Sequence, residues 1–216
     1  MCCVSVDDVD LPLAKSVRDL GVMDSHDLSP TLHVSNIVAK AHKRSAAIVP
    51  SLVEMLTYLF VPTLHNIRPI VQHDSVVWSP YTVKDIDNIE SVQRRFTKQL
   101  PGFGALIYAE RLRRLGIPSL ELRRLHADLF YFYKMVFGYT DLQPSDFFEV
   151  APLSTTRGHI YKLYKKRSSA VVQQKFFSER IVNILNNLPD SVDFSSVASF
   201  TRTVKHVTFS KYLGWS

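Results

Sequence analysis

Cysteine is nearly absent: the chain has two, and they are neighbours, Cys2 and Cys3. Adjacent cysteines cannot close an ordinary bridge, and no pair is spaced to ligate zinc, which excludes a disulfide framework and a zinc module. A chain with so little use for cysteine is expected in a reducing compartment, hence intracellular, nuclear or cytoplasmic. Glycine is also scarce, at seven residues in 216, with eleven prolines, and this excludes collagen-like and low-complexity classes. Long hydrophobic runs are missing. The best stretch, around residues 46–64, is broken by Pro50, Glu54 and Pro62 and is too short to cross a bilayer. The N-terminus carries Asp7, Asp8 and Asp10 and has no basic segment, so a signal peptide is not expected. Hydrophobic residues at 46% and charged residues at 21% are enough for a packed core.

Acidic charge is in deficit, and its distribution says more than the net +6. Residues 1–28 carry net −4 and residues 29–83 net +2. Residues 84–126 carry net +4, residues 127–156 net −3, residues 157–180 net +6 and the remainder net +1. Two basic blocks therefore flank an acidic spacer. In an intracellular chain that pattern points to nucleic acid, and the plain alternative is two solvated helix faces.

The pattern predicts a mainly α chain, α+β in class, opening on a short β-hairpin within residues 1–23 that turns at Asp7-Asp8. Ser29-Pro30 predicts a helix from about 30 to 48, with Leu32, Val34, Ile37, Val38, Ala41 and Ile48 on its apolar face. Pro50-Ser51 predicts a second helix over 51–60. A short one follows over 68–77, then an extended Trp78–Tyr81. Thr82 caps a helix over 82–100 with Ile86, Ile89, Val92 and Phe96 inward, acids early and bases late, as the helix dipole favours. Further helices are expected at Tyr108–Leu115 (closed by Gly116), Pro118–Val136, Ala170–Leu185 and Ser195–Thr203, with a strand at Tyr161–Lys165 and a second hairpin over 156–167.

Catalytic constellations are wanting. The eight histidines share no ligand spacing with Cys, Glu or one another. No G-x-S-x-G, phosphate-cradling Gly loop or Cys/His pair appears. The Asp7-Asp8 pair has the look of a polymerase metal hairpin, but two carboxylates without a third from another strand read as a polar turn. The candidate binding residues are basic. Arg94, Arg95 and Lys98 stand on one helix, and Arg113 and Arg114 on the next, as candidate phosphate contacts. Trp78 and Tyr81, just upstream, are candidate stacking residues, and a core role is the alternative for Trp78. Arg157, Lys162, Lys165, Lys166 and Arg167 interleave with Tyr161 and Tyr164 in a second basic block.

Read in order, several segments resemble a known family. They are SVRDLGV (16–22), SNIVAKAHKR (35–44), SVVWSPY (75–81), IESVQRRFTKQLPGF (89–103), YAERLRRLGIPSLELRRLHADL (108–129), DFF (146–148), TRGHIYKLYKKRS (156–168) and FFSERIVNILNNLPDSV (176–192). Together they look like the C-terminal part of the reverse transcriptase of LINE-type, jockey-like non-LTR retrotransposons, an RNA-directed DNA polymerase. The resemblance implies a remnant of the polymerase palm at 1–28, a thumb-like helical domain at 29–130 and an element-specific C-terminal region at 131–216. It also implies that the catalytic Asp-Asp hairpin of the intact, Mg²⁺-dependent enzyme would lie before Met1; Asp7-Asp8, which lacks the flanking aromatic and falls at the later hairpin, does not match it. The chain alone is then expected to need no cofactor and to have no polymerase activity. Its expected role is to hold the phosphate backbone of RNA–DNA hybrid, DNA or RNA, with no membrane partner. About six to eight phosphate contacts would give a salt slope of roughly −5 to −7 on duplex DNA. Alternatives are a stand-alone basic nucleic-acid-binding module, or an element relic with no cellular role. Three stretches depart from the family pattern, one of them the loop Pro62–Ile67. Arg68-Pro69-Ile70-Val71-Gln72-His73 stands where the family often has Arg-Pro-Ile/Leu-Leu-Glu-Tyr, and Ile184-Leu185 lies where a Trp is usual.

Overall fold

The computed structural model describes residues 5–6, 9–10, 14–53, 60–151, 159–165 and 175–214, and over these the protein is mainly helical. Two short antiparallel hairpins open it. Strands β1 (Ser5–Val6) and β2 (Val9–Asp10) pair Val6 with Val9, and the Asp7-Asp8 turn between them lies outside the described residues. Strands β3 (Ser16–Asp19) and β4 (Val22–Ser25) pair Asp19 with Val22 across a two-residue turn. Both turn residues have positive φ, Leu20 at 45° and Gly21 at 97°. A twisted hairpin demands that geometry, and Gly21 meets it at no steric cost whereas Leu20 is strained. The sequence pattern had suggested only the first turn, because leucine is a poor signal for a left-handed position.

Helix α1 (Thr31–Val53) begins one residue later than expected, its first backbone bond running from Val34 N–H to the Pro30 carbonyl at 2.8 Å. Val34, Ile37, Val38 and Ala41 are buried as the spacing requires, but Leu32 is exposed. The helix continues through Pro50, so no new helix starts there. A proline removes one backbone bond, and a helix this long can carry that loss; residues 54–59 lie outside the described set. Helix α2 (Phe60–Gln72) likewise carries Pro69 inside it and starts earlier than the prolines suggested. It ends where Asp74 turns left-handed at φ 49°, and the single-turn α3 (Ser75–Trp78) follows.

Helix α4 (Val83–Lys98) matches its signals. Thr82 Oγ1 accepts the Asp85 N–H at 3.1 Å, and Ile89, Val92 and Phe96 are buried, with Ile86 half-buried. The buried Asp85 carboxylate accepts both Thr82 and Thr31 hydroxyls at 2.8 Å, which ties the first turns of α1 and α4 together. Helix α5 (Tyr108–Leu115) closes on Gly116 at φ 62°, the left-handed cap that glycine favours. Helix α6 (Leu120–Val136) follows, capped by Ser119.

Two hydrophobic clusters meet along α6. The first joins Val22, the inner faces of α1, α2 and α4, Trp78 and Leu120. The second joins Leu125, Leu129, Phe132 and Tyr133 to Phe148, which directly follows the single-turn α7 (Pro144–Phe147), and to two later helices, α8 (Phe177–Asn186) and α9 (Val197–Val204). Tyr133 anchors the second cluster, stacked at 4.2 Å on Phe137 and 4.7 Å on Phe200, with its hydroxyl donating to the Phe194 carbonyl at 3.0 Å. Tyr161–Lys165 pairs by a single antiparallel bridge, Leu163 with Val150, and the Asn186 amide holds both backbone groups of Leu163 at 2.8 Å. Residues 152–158 and 166–174, which carry the rest of the expected hairpin and the start of the helix expected from Ala170, lie outside the described residues.

Candidate nucleic-acid interface

Buried polar groups fix the basic helices relative to one another. Glu90, on the inner side of α4, is 1% exposed. Its carboxylate accepts the Tyr108 hydroxyl and the backbone N–H groups of Leu120, at 3.0 Å, and Glu121, at 3.3 Å. An anion on those first N–H groups of α6 is well placed, since a helix N-terminus concentrates unpaired donors and positive potential. Gln93 completes the joint, its amide donating to Tyr108 Oη and the Pro118 carbonyl at 3.1 Å and accepting from Arg68 at 3.4 Å. Burial first, and then the Glu90 charge, hold the Tyr108 phenol well above its ordinary pKa, so it stays a neutral donor.

This joint decides which arginines face outward. Arg94 is engaged: its guanidinium binds Asp87 at 2.7 Å and lies 5.6 Å from the Tyr108 ring centre. Arg111, buried beside it, donates to the Arg94 carbonyl at 3.0 Å and covers the same ring at 5.4 Å. Arg113 and Arg114 share one carboxylate. Arg113 grips Glu110 with both prongs at 2.8 and 2.7 Å, and Arg114 Nε joins at 2.7 Å. Hydrogen bonds from Arg113 and then Arg114 pull the Glu110 pKa down to about 2. The two side chains remain 74% and 53% exposed, but one of their two charges is already matched.

Arg95 and Lys98 are different. Both are exposed on the outer side of α4, and neither makes an ion pair among the described residues. Across the seam, α1 presents Lys40, Lys43 and Arg44, also exposed and without an ion pair among the described residues. Spacings of three and four put these three on one helix face. His42 marks the seam, its Nε2 3.5 Å from Ser91 Oγ, and its pKa is lowered by burial and then by the Arg95 charge. The α1 residues were legible in HKR and its i−3 lysine, but the sequence reading had not selected them.

Of the candidate stacking residues, Trp78 is 5% exposed. Its indole N–H donates to the His73 carbonyl at 2.6 Å, and its ring lies 4.8 Å from His33, which in turn accepts the Met23 N–H at 3.1 Å. That chain of contacts docks the β3–β4 hairpin on α1, and no base can reach the indole without opening the core. Tyr81 is half-buried at the edge of a small cleft of about 180 Å³ beside Trp78. In the second basic block Tyr161 packs on Phe194 at 4.7 Å, while Tyr164 and Lys165 are exposed. Arg157, Lys166 and Arg167 lie outside the described residues.

The chain matches no family model, no curated protein and no solved structure. Among the described residues no group of three or more His, Cys, Asp or Glu is placed to hold a metal ion. No described helix is long and apolar enough to cross a membrane.

Proposed function

We propose that this chain is the thumb-like and C-terminal part of a LINE-type non-LTR retrotransposon reverse transcriptase, and that its work is to hold the phosphate backbone of a template–primer duplex. In that reading residues 1–28, with both hairpins, are the end of the palm and residues 29–130 are the thumb-like unit. The observation that carries it is the outer surface of α1 and α4, where Lys40, Lys43, Arg44, Arg95 and Lys98 stand exposed with no ion pair among the described residues. Exposed cations on two packed helices suit a regular array of phosphates and carry no base specificity. The polymerase chemistry itself is assigned to residues other than these, and the chain alone extends no primer.

Fluorescence anisotropy with RNA–DNA hybrid, duplex DNA and single strands across a salt series tests the proposal. Preference for hybrid or duplex, steep weakening with salt and loss of binding on Arg95→Glu/Lys98→Glu are expected. A flat salt dependence, or Mg²⁺-dependent primer extension by the pure chain, would overturn it.

A further inference from the structure

A second arginine cluster is turned inward. A cleft of about 660 Å³ opens beside α6, and its lining includes Gln72, Arg123, Arg124, His126, Phe130 and Lys205, with no acidic residue. Arg124 is 4% exposed, yet Nη1 and Nη2 both lack a hydrogen-bond partner. Arg123 Nε, Gln72 Nε2 and His126 Nε2 are also buried and unmatched. Arg68 approaches from α2, where burial first and then the Arg123 charge lower its pKa, and its own Nε has no partner.

Two of the three acids around Arg124 are committed elsewhere, and the third in part. Glu90 holds Tyr108 and the start of α6, and Asp128 is gripped by Arg180 at 2.7 Å. Glu121 spends Oε1 on the Gly214 N–H at 3.0 Å, and its Oε2 meets no donor. Burial lowers the Arg124 pKa against the pull of all three. A desolvated guanidinium with both terminal nitrogens unmatched is among the costliest arrangements in a protein interior, and buried polar groups normally find partners. What faces the cleft is a set of donors: a guanidinium fork, a second arginine, an amide and an imidazole, with an ammonium at the mouth. That set has the chemistry of a tetrahedral oxyanion site.

We propose that this cleft binds a phosphate group, with Arg124 as its buried anchor, Arg123 and Gln72 as further donors and Lys205 at the entrance. The inference does not rest on the template–primer reading, since the exposed cations of α1 and α4 take no part in it. The phosphate can belong to a free small molecule or to the 5′ end of a nucleic-acid strand.

The test titrates the full chain in chloride buffer with inorganic phosphate, a 5′-phosphorylated dinucleotide and the same dinucleotide unphosphorylated, by calorimetry and by thermal melting. Saturable one-site binding of a phosphate-bearing probe with a rise in Tm is expected, and no binding of the unphosphorylated dinucleotide. Tighter binding of the phosphorylated dinucleotide than of inorganic phosphate assigns the group to a strand end; equal or weaker binding assigns it to a free phosphate. Arg124→Met should abolish the binding. Gln72→Glu is the second variant: Gln72 Oε1 already accepts from Arg123 at 3.1 Å, so a carboxylate there fills the cleft with an internal anion. It should raise Tm and weaken phosphate at least about tenfold. No saturable binding by the folded wild type at millimolar phosphate, or binding that survives Gln72→Glu unchanged, would overturn the proposal.

Discussion

Asp128 and Arg180 hold the C-terminal helices to the rest of the chain, and a double-mutant cycle on them gives a sharp test of how the two clusters are joined. Arg180 Nε and Nη2 reach Asp128 Oδ2 and Oδ1 at 2.8 and 2.7 Å, and Nη2 also donates to the Val76 carbonyl of α3 at 2.7 Å. The side chains are 15% and 6% exposed, so the pair is largely desolvated. Burial pushes the Asp128 carboxyl up even against the opposing pull of Arg180. Removing either partner leaves a buried charge, which costs about 3–5 kcal/mol. Removing both leaves none. Asp128→Leu and Arg180→Met should therefore each destabilise by about 3–5 kcal/mol. The double variant should lose about 2–3 kcal/mol less than their sum, which is the coupling energy of the pair. Part of the Arg180 loss remains in the double variant, because the Val76 bond and the Phe177 ring contact at 5.7 Å go with the side chain. Urea denaturation of the four proteins, with slopes compared to confirm a common transition, reads the cycle. Single effects that add to within about 0.5 kcal/mol would refute the reasoning, because an ion pair that matters cannot be additive.

Two further outcomes follow from the core. Trp78→Ala should destabilise the fold by about 3–5 kcal/mol in chemical denaturation, since the buried indole joins the hairpin, α1 and α3; a variant that melts like wild type but binds nucleic acid less well would place the indole outside the core. His126 is lowered from its ordinary 6.5 to about 4, by burial first and then by the Lys205 and Arg123 charges. The unfolded chain thus binds the extra proton first, and stability should fall as pH drops from about 6.5 towards 4. His33, His42 and His159 are lowered too, so the difference between wild type and His126→Gln isolates the effect, and parallel curves would show that His126 contributes none of it.

What the sequence disclosed, and what it hid, divides along physical lines. Helix ends governed by one residue were readable: Thr82 and Ser119 cap as expected, and Gly116 takes the left-handed turn. Prolines misled, because Pro50 and Pro69 sit inside helices whose length absorbs one missing bond each. The polarity of the basic residues was evident, but their employment was not. Arg113 and Arg114 lie three and four residues after Glu110, a spacing that already announces the shared pair. Arg94 was hidden more deeply, because Asp87 stands two turns away and Tyr108 belongs to another helix. The inward pair Arg123–Arg124 was invisible for a like reason: only the packing of α2 and α9 on α6 makes a cleft of that stretch.

The central claim is that the exposed cations of α1 and α4 grip a phosphate backbone, and the salt dependence of hybrid binding tests it most directly. Five phosphate contacts predict a slope of about −4 to −5 on a log–log plot for the wild type. Arg95→Gln/Lys98→Gln should reduce the slope by about 2 while leaving Tm unchanged, and Arg94→Gln should lower Tm with little change in slope. A wild-type slope near zero, or a slope that the double variant leaves untouched, would contradict the account.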